Sequence, residues 1–322
     1  MNLPDFRSSL ADPLSRFLQF KQALNRKYRT EAAALRLFDG YLCEHNVADW
    51  KAIDSAMIDD FLISRPRTRP RSYNHLLGVL HRFFAFAIMQ QWTRQNPVTA
   101  RPRRNTGNRI PYLFDLRDAK SLLAVSRGLP DKPRAPLRGL VYEMIFALLY
   151  GLGMRVGEVA RLRLSDADLV CDTLFIRDTK FSKSRIVPMG PKLAERLKRY
   201  IEECHGSTEG PDIPLFSFTE RGCIHEGTIS HTFHSLVPRL NLHIPPGVSS
   251  PRVHDLRHAF AVATLLRWYR EGVDPNCRLI HLSTFLGHVD PNSTAVYLTI
   301  TEDLLYEAAQ RFQVMAPKGG MR

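Results

Sequence analysis

Residues 97–111 read Pro-Val-Thr-Ala-Arg-Pro-Arg-Arg-Asn-Thr-Gly-Asn-Arg-Ile-Pro. Prolines at 97, 102 and 111 remove backbone donors, and Gly107 loosens the chain between them. No helix or strand runs through such a stretch. It splits the 322 residues into two parts, which is also what that length suggests at ~100–200 residues per domain. The expected organisation is a helical domain over 1–100, a linker over 101–112 and a second domain over 113–322. Arginines 101, 103, 104 and 109 make the linker basic. A solvated tether and a tether that follows phosphates both fit this composition.

The two parts also differ in charge. Residues 1–112 carry a net +9 and residues 113–322 a net +4, giving +13 for the chain. That balance favours a polyanionic partner. A basic front and a near-balanced rear suit a clamp that grips nucleic acid with both halves, although an ordinary basic globular protein fits the totals equally. With 44% hydrophobic and 24% charged residues, a normal core is possible, and a disulfide miniprotein, a collagen-like repeat and a disordered chain are excluded. The five cysteines, 43, 171, 204, 223 and 277, form no C-x-x-C pair and are odd in number. A reducing interior follows, and the expected location is cytoplasmic. The start, MNLPDFRSSL, has no signal-like apolar run. Leu140–Met154 is short for a membrane span and contains Glu143, so it reads as a buried core helix.

Apolar spacing predicts four helices in the front part. Leu14, Phe17, Leu18 and Leu24 share one face. Thr30 can cap a second helix bearing Leu35, Phe38, Tyr41 and Leu42. Ile58, Phe61 and Leu62 suggest a third, and a fourth follows Pro70. In the rear part helices fit 115–126, 135–151, 191–204, 227–238, 254–270, 278–286 and 291–298, with another starting near Arg155. Residues 172–176 and 185–188 read as strands around a polar turn. The fold class expected is mainly α with a small β-sheet (α+β).

Four segments of the rear part carry unusual residues. In Tyr150-Gly-Leu-Gly-Met-Arg155-Val-Gly-Glu158 two glycines end one helix and Arg155 opens the next. Its rigid fork fits two phosphate oxygens, and Glu158, one turn on, can hold it. Thr179-Lys180-Phe-Ser-Lys183-Ser-Arg185 places lysines on a hairpin turn, from which one can reach a ligand. In Val253-His254-Asp-Leu-Arg257-His258-Ala-Phe260, His254 and Arg257 share a helix face. That face is expected to be exposed, with Leu256, Phe260 and Ala263 buried opposite. A metal on His254 and His258 would need a third ligand, and Asp255 stands where a zinc protease has Glu, so no metal is expected. Lastly, Phe285-Leu-Gly287-His288 is followed nine residues after His288 by Tyr297.

Taken together, these segments resemble the tyrosine recombinase (phage integrase) family. The match includes Arg155 within G-L-x-x-R-x-x-E, the hairpin lysine, H-x-L-R-H, L-G-H and the downstream tyrosine, in order, across about 140–310. The front half looks like that family's core-binding domain, which would make a C-shaped clamp on DNA.

The resemblance implies a site-specific recombinase or integrase serving a mobile genetic element. In it Tyr297 would attack a DNA phosphodiester and form a 3′-phosphotyrosyl link, releasing a 5′-hydroxyl. Arg155 and Arg257 would hold the charge of the transition state. Lys180, preferred over Lys183 for its distance from Arg185-Ile-Val-Pro, would protonate the leaving oxygen. His254 would take the Tyr297 proton, and His288 would bond to the same phosphate. Glu158 and His258 match family positions with supporting roles, and Asp255 reads as a cap or as a residue behind the site that supports it. Many relatives carry Gly-Asn in the turn where this chain has Phe-Ser. No cofactor and no metal are implied. The implied partner is double-stranded DNA with paired, inverted-repeat half-sites, bound by a homotetramer that is a monomer or dimer when free, with no membrane involved. The tail after Phe312 would either pack on a neighbouring protomer or hang free. Two alternatives are a type IB topoisomerase-like nicking-closing enzyme and a DNA-binding regulator without catalysis.

Overall fold

The computed structural model describes residues 5–24, 28–104, 109–177, 184–206, 210, 212–218, 222–288, 290, 294 and 297. The chain divides into two compact units, Met1–Asn108 and Arg109–Arg322.

The first unit consists of helices α1 (Ala11–Ala23), α2 (Arg29–Glu44), α3 (Ser55–Ser64) and α4 (Pro70–Met89). Their apolar stripes meet in one core around Leu14, Phe17, Leu35, Phe38, Phe61, Phe83 and Phe84. Phe17–Phe83 and Phe38–Phe61 meet edge-to-face at 5.7 and 5.2 Å, the arrangement that the ring quadrupole favours. Asp54 caps α3 by accepting from Met57 N at 2.9 Å, and Pro70 opens α4 where its missing N–H costs nothing.

Two local expectations fail here. Leu24 lies past the end of α1 and is 55% exposed. Thr30 sits inside α2 and donates to Glu31 Oε2. The helix starts earlier because Tyr28, at φ 45, is packed against Phe17 with ring centroids 5.9 Å apart. Tertiary packing, not a cap, sets that boundary. The first linker residues are held on this unit. Asn74 and the Arg103 backbone exchange two hydrogen bonds of 2.7 Å. The Arg103 guanidinium lies 3.9 Å over the Tyr73 ring and donates to Arg67 O. Arg103 is therefore exposed yet pinned to this unit.

The second unit begins with Arg109 donating to Ser250 O and Ile110 bridging to Val248. It contains α5 (Leu116–Arg127), α6 (Arg138–Leu152), α7 (Val156–Ala160), β1 (Ala167–Asp168), β2 (Thr173–Ile176), β3 (Arg185–Pro188), α8 (Pro191–His205), α9 (Glu226–Leu236), α10 (Asp255–Arg270) and α11 (Pro275–Leu286). The sheet is antiparallel in the order β1-β2-β3, with Leu174 opposite Val187. Leu174, Ile176 and Val187 face the core. The short first strand was not legible in the sequence.

Helix α6 is the centre of this core, buried along most of its length. Its one acid, Glu143, escapes desolvation by pairing with Arg196 at 2.7 Å and Arg127 at 3.2 Å. The helix starts at 138 rather than 135. Lys132 and Ala135 form a bridge, Leu137 takes φ 50, and Asp131 accepts from Arg138 N at 3.0 Å. Prolines 133 and 136 account for the delay, because neither continues a helix from the preceding turn. Of the helix expected over 291–298, only Thr294 and Tyr297 are described. No helix among the described residues is long and apolar enough to cross a membrane.

Candidate active site

The site is assembled from helix ends. Helix α6 stops at Gly153, whose φ of +58 is open to glycine at little strain. A Cβ there would also lie 2.5 Å from a ring carbon of Phe260. The Gly153 carbonyl accepts from Arg257 Nη1 at 2.6 Å. Arg155 then caps α7, and Glu158 reaches back to it. Glu158 Oε2 accepts from the Arg155 backbone N at 3.0 Å, and Oε1 from Arg155 Nη1 at 2.7 Å.

Helix α11 ends in a Schellman turn. His288 N donates to Ser283 O at 2.9 Å, and Gly287 N to Thr284 O at 3.0 Å. Gly287 supplies the left-handed residue this requires, at φ +68. The turn leaves the next three carbonyls without a helical donor. Each is taken by a different arginine. Arg185 Nε donates to Phe285 O at 2.8 Å. Arg257 Nη2 donates to Leu286 O at 2.7 Å. Arg155 Nη2 donates to Gly287 O at 2.8 Å. The negative end of the helix dipole favours cations at this place. Glu158 completes the cluster by accepting from Arg185 Nη1 at 3.1 Å and Nη2 at 2.9 Å.

This packing corrects the expected face of α10. Arg257 is 1% exposed, while Ala263 is exposed. Arg257 gives up water for two backbone carbonyls, which a guanidinium can do without losing its charge. Burial, with the charge of Arg155 beside it, brings Arg257 down to about 10, and Tyr297 and Glu158 work against that. It stays cationic at neutral pH. Burial pushes the Glu158 carboxyl up, but hydrogen bonds from Arg185 and then Arg155 outweigh burial and bring it to about 2.

Tyr297 is 4% exposed. Its hydroxyl lies 3.1 Å from His258 Nδ1, and its ring stacks on His288 at 6.3 Å. Burial raises the phenol, and Arg257 and then Arg155 counteract this. His258 meets His254 edge-on at 4.8 Å. His288 Nδ1 lies 2.6 Å from Thr294 Oγ1. Burial lowers all three histidines. His254 is brought to about 4 with help from His258 and Arg257, although one side of the residue stays open to solvent. His288 is brought to about 4 with help from Arg257 and Arg155. His258 is lowered less, because Asp255 opposes the shift. All three are neutral at pH 7.

The structure thus brings together Arg155, Arg257, His254, His288 and Tyr297. It pairs the phenol with His258 at 3.1 Å, whereas the family resemblance implies that His254 takes that proton. Asp255 is fully buried and accepts from Arg252 N at 2.9 Å and Arg252 Nη2 at 3.1 Å, which ties down the turn before α10 rather than capping the first amides of the helix. Lys180, Lys183 and the turn between β2 and β3 lie outside the described residues. Sequence reasoning missed Arg185 and Thr294. Arg185 was used only to fix the register of the lysine, and Thr294 gave no signal. Among the described residues, no group of three His, Cys, Asp or Glu side chains could hold a metal ion.

The fold is that of the tyrosine recombinases. A Tn1549 transposon integrase fragment, solved with transposon right-end DNA, superposes with a TM-score of 0.65 at 17% identity, covering 96% of this chain and all of that one. A lambda integrase tetramer bound to a Holliday junction gives 0.63, also at 17% identity, over 89% of this chain and 76% of that one. The model of the phage integrase family matches residues 117–303. A Sinorhizobium fredii protein named as an integrase/recombinase, y4rB, is 32% identical over 315 residues, covering 95% of this chain and 98% of the relative. The chain therefore belongs to the phage integrase family, and it is a site-specific tyrosine recombinase. Neither the nicking-closing nor the silent-regulator alternative gains support from these matches.

Proposed function

We propose that Tyr297 is the nucleophile of this recombinase and that the arginines gathered at the end of α11 hold the phosphate it attacks. One observation carries this reading: the Tyr297 hydroxyl sits 3.1 Å from a neutral imidazole and within the field of Arg257 and Arg155. A phosphodiester passing through its pentacoordinate state gains negative charge on its non-bridging oxygens. Each terminal nitrogen of Arg155 and Arg257 has two N–H groups and spends one on a carbonyl or carboxylate. The remaining donors are fixed in direction before substrate arrives, which is how preorganised charge lowers a barrier.

In the forward step Tyr297 Oη forms a bond to phosphorus while the bond from phosphorus to the 5′-oxygen breaks. The phenolic proton passes to His258 Nδ1, the nearest acceptor. His254 lies behind it as a further acceptor. Lys180 supplies the proton for the 5′-oxygen. With Nδ1 facing Thr294, His288 in its Nε2–H tautomer donates to the same phosphate. Reversal by a 5′-hydroxyl from another strand exchanges partners, and the covalent intermediate keeps the bond energy.

The proposed substrate is double-stranded DNA with paired, inverted half-sites, acted on by a homotetramer in the cytoplasm. The tetrameric lambda integrase on a Holliday junction and the transposon integrase on its end DNA support this assembly and a mobile-element role. The test is covalent capture. A nicked duplex library of random sequence is incubated with the full-length protein, and protein–DNA adducts are isolated under denaturing conditions. Adducts are expected from the wild type and none from Tyr297→Phe. Adducts formed undiminished by Tyr297→Phe would place the nucleophile elsewhere.

A further inference from the structure

We infer that Arg185 is a positioning residue for cleavage, setting Arg155 through the carboxylate they share. This inference rests on the reading that Arg155 holds the scissile phosphate.

Three facts point away from a packing role and away from direct phosphate contact. First, all three guanidinium nitrogens of Arg185 are committed inward, Nε to Phe285 O and the two Nη to the two oxygens of Glu158. Its side chain is 11% exposed, against 26% for Arg155. Second, Glu158 is bidentate to Arg185 and holds Arg155 by both its side chain and its backbone N. Moving Arg185 therefore swings the carboxylate that orients Arg155. Third, the two arginines are tied at their far ends to carbonyls two residues apart on one turn, Phe285 and Gly287. The turn itself is fitted to Arg185, since a Cβ on Gly287 would lie 2.7 Å from Arg185 Nη1.

The arrangement is a closed loop of Arg155, Glu158, Arg185 and the end of α11. Arg185 is also the first residue of β3. The start of that strand is thereby coupled to the fork of Arg155. A lysine replaces it only in part, because an ammonium does not span both carboxylate oxygens and a carbonyl in one plane.

The test uses the full-length protein and a nicked duplex bearing the half-site recovered by covalent capture with the wild type. Single-turnover cleavage is followed at varied protein concentration. Arg185→Met is expected to lower the cleavage rate constant roughly ten- to a hundredfold, the scale of a misplaced site group. The half-saturating protein concentration should stay within about twofold. Arg185→Lys should fall between. In an Arg155→Lys background, Arg185→Met should cost less than about threefold more, since the residue it acts through is already lost. Wild-type cleavage by Arg185→Met would overturn the inference. So would losses that multiply in full in the double variant, or a defect confined to duplex affinity. If Arg185→Met does not fold by circular dichroism, Arg185→Lys carries the same comparison. A wild type that captures no duplex at all would instead defeat the underlying reading of the site.

Discussion

At the residue scale, the chemistry of the site is a matter of which groups lose water and what they receive in return. Arg257 loses nearly all of its hydration and receives two carbonyls. Glu158 loses its own and receives two guanidiniums. The histidines receive no opposite charge of comparable strength, so burial leaves them neutral. Their effect on stability has a definite sign. His254 and His288 titrate at about 4 in the folded chain against an ordinary 6.5. Between those values the unfolded chain binds more protons, so stability rises with pH there. Their contribution is complete above pH 6.5 and is lost as pH falls toward 4. Glu158, at about 2 against 4.5, acts the same way in a lower window, complete above 4.5 and lost toward 2. Denaturant titrations of the DNA-free protein at pH 4.5, 5.5, 6.5 and 7.5 should therefore show stability climbing to 6.5. The double variant His254→Gln with His288→Gln should flatten that climb. Greater stability at pH 5 than at pH 7 would contradict the lowering of His288 and His254.

At the element scale, the end of α11 does more than stop a helix. Its Schellman turn satisfies Ser283 and Thr284 internally and hands three carbonyls to three arginines. Gly287 is the residue on which this depends. Gly287→Ala meets a left-handed backbone that costs an L-residue roughly 1–2 kcal/mol, and its methyl would press on Arg185. The variant should lose about that much stability in denaturant and lose cleavage more than duplex binding. Unchanged cleavage in a variant of normal stability would mean the turn does not set the arginines. Much of this element was legible: Leu286-Gly287-His288 marks a helix stop, and its Gly and His were picked out. What the turn holds was not legible, because Arg155 and Arg185 lie 132 and 100 residues from their carbonyl partners. No local spacing encodes such a contact.

At the scale of the whole molecule, charge governs how the enzyme meets its substrate. A chain with net +13 acting on DNA should bind it by displacing counterions, so the logarithm of affinity should fall linearly with that of salt, with a slope near −0.9 per phosphate contacted. Arg101 and Arg104 flank Arg103, which is already engaged with Tyr73, Asn74 and Arg67. Replacing Arg101 and Arg104 with Gln should reduce the slope by about one for each that meets a phosphate. The same replacement at Arg103 should act through the stability of the first unit instead. Binding isotherms from 50 to 300 mM salt test this, and an unchanged slope for Arg101→Gln with Arg104→Gln would leave the linker out of the interface.

The sequence by itself determined the helical periodicity of both units, the two short strands long enough to alternate, and the set of residue types arrayed along the second half in family order. Those are local properties, carried by spacings of three, four and two residues. Tertiary structure decided that Arg257 is buried rather than exposed, that His258 and not His254 meets the phenol, and that Arg185 joins the cluster. Each depends on which distant carbonyl or carboxylate replaces lost water, and only the folded chain brings those partners within hydrogen-bond reach.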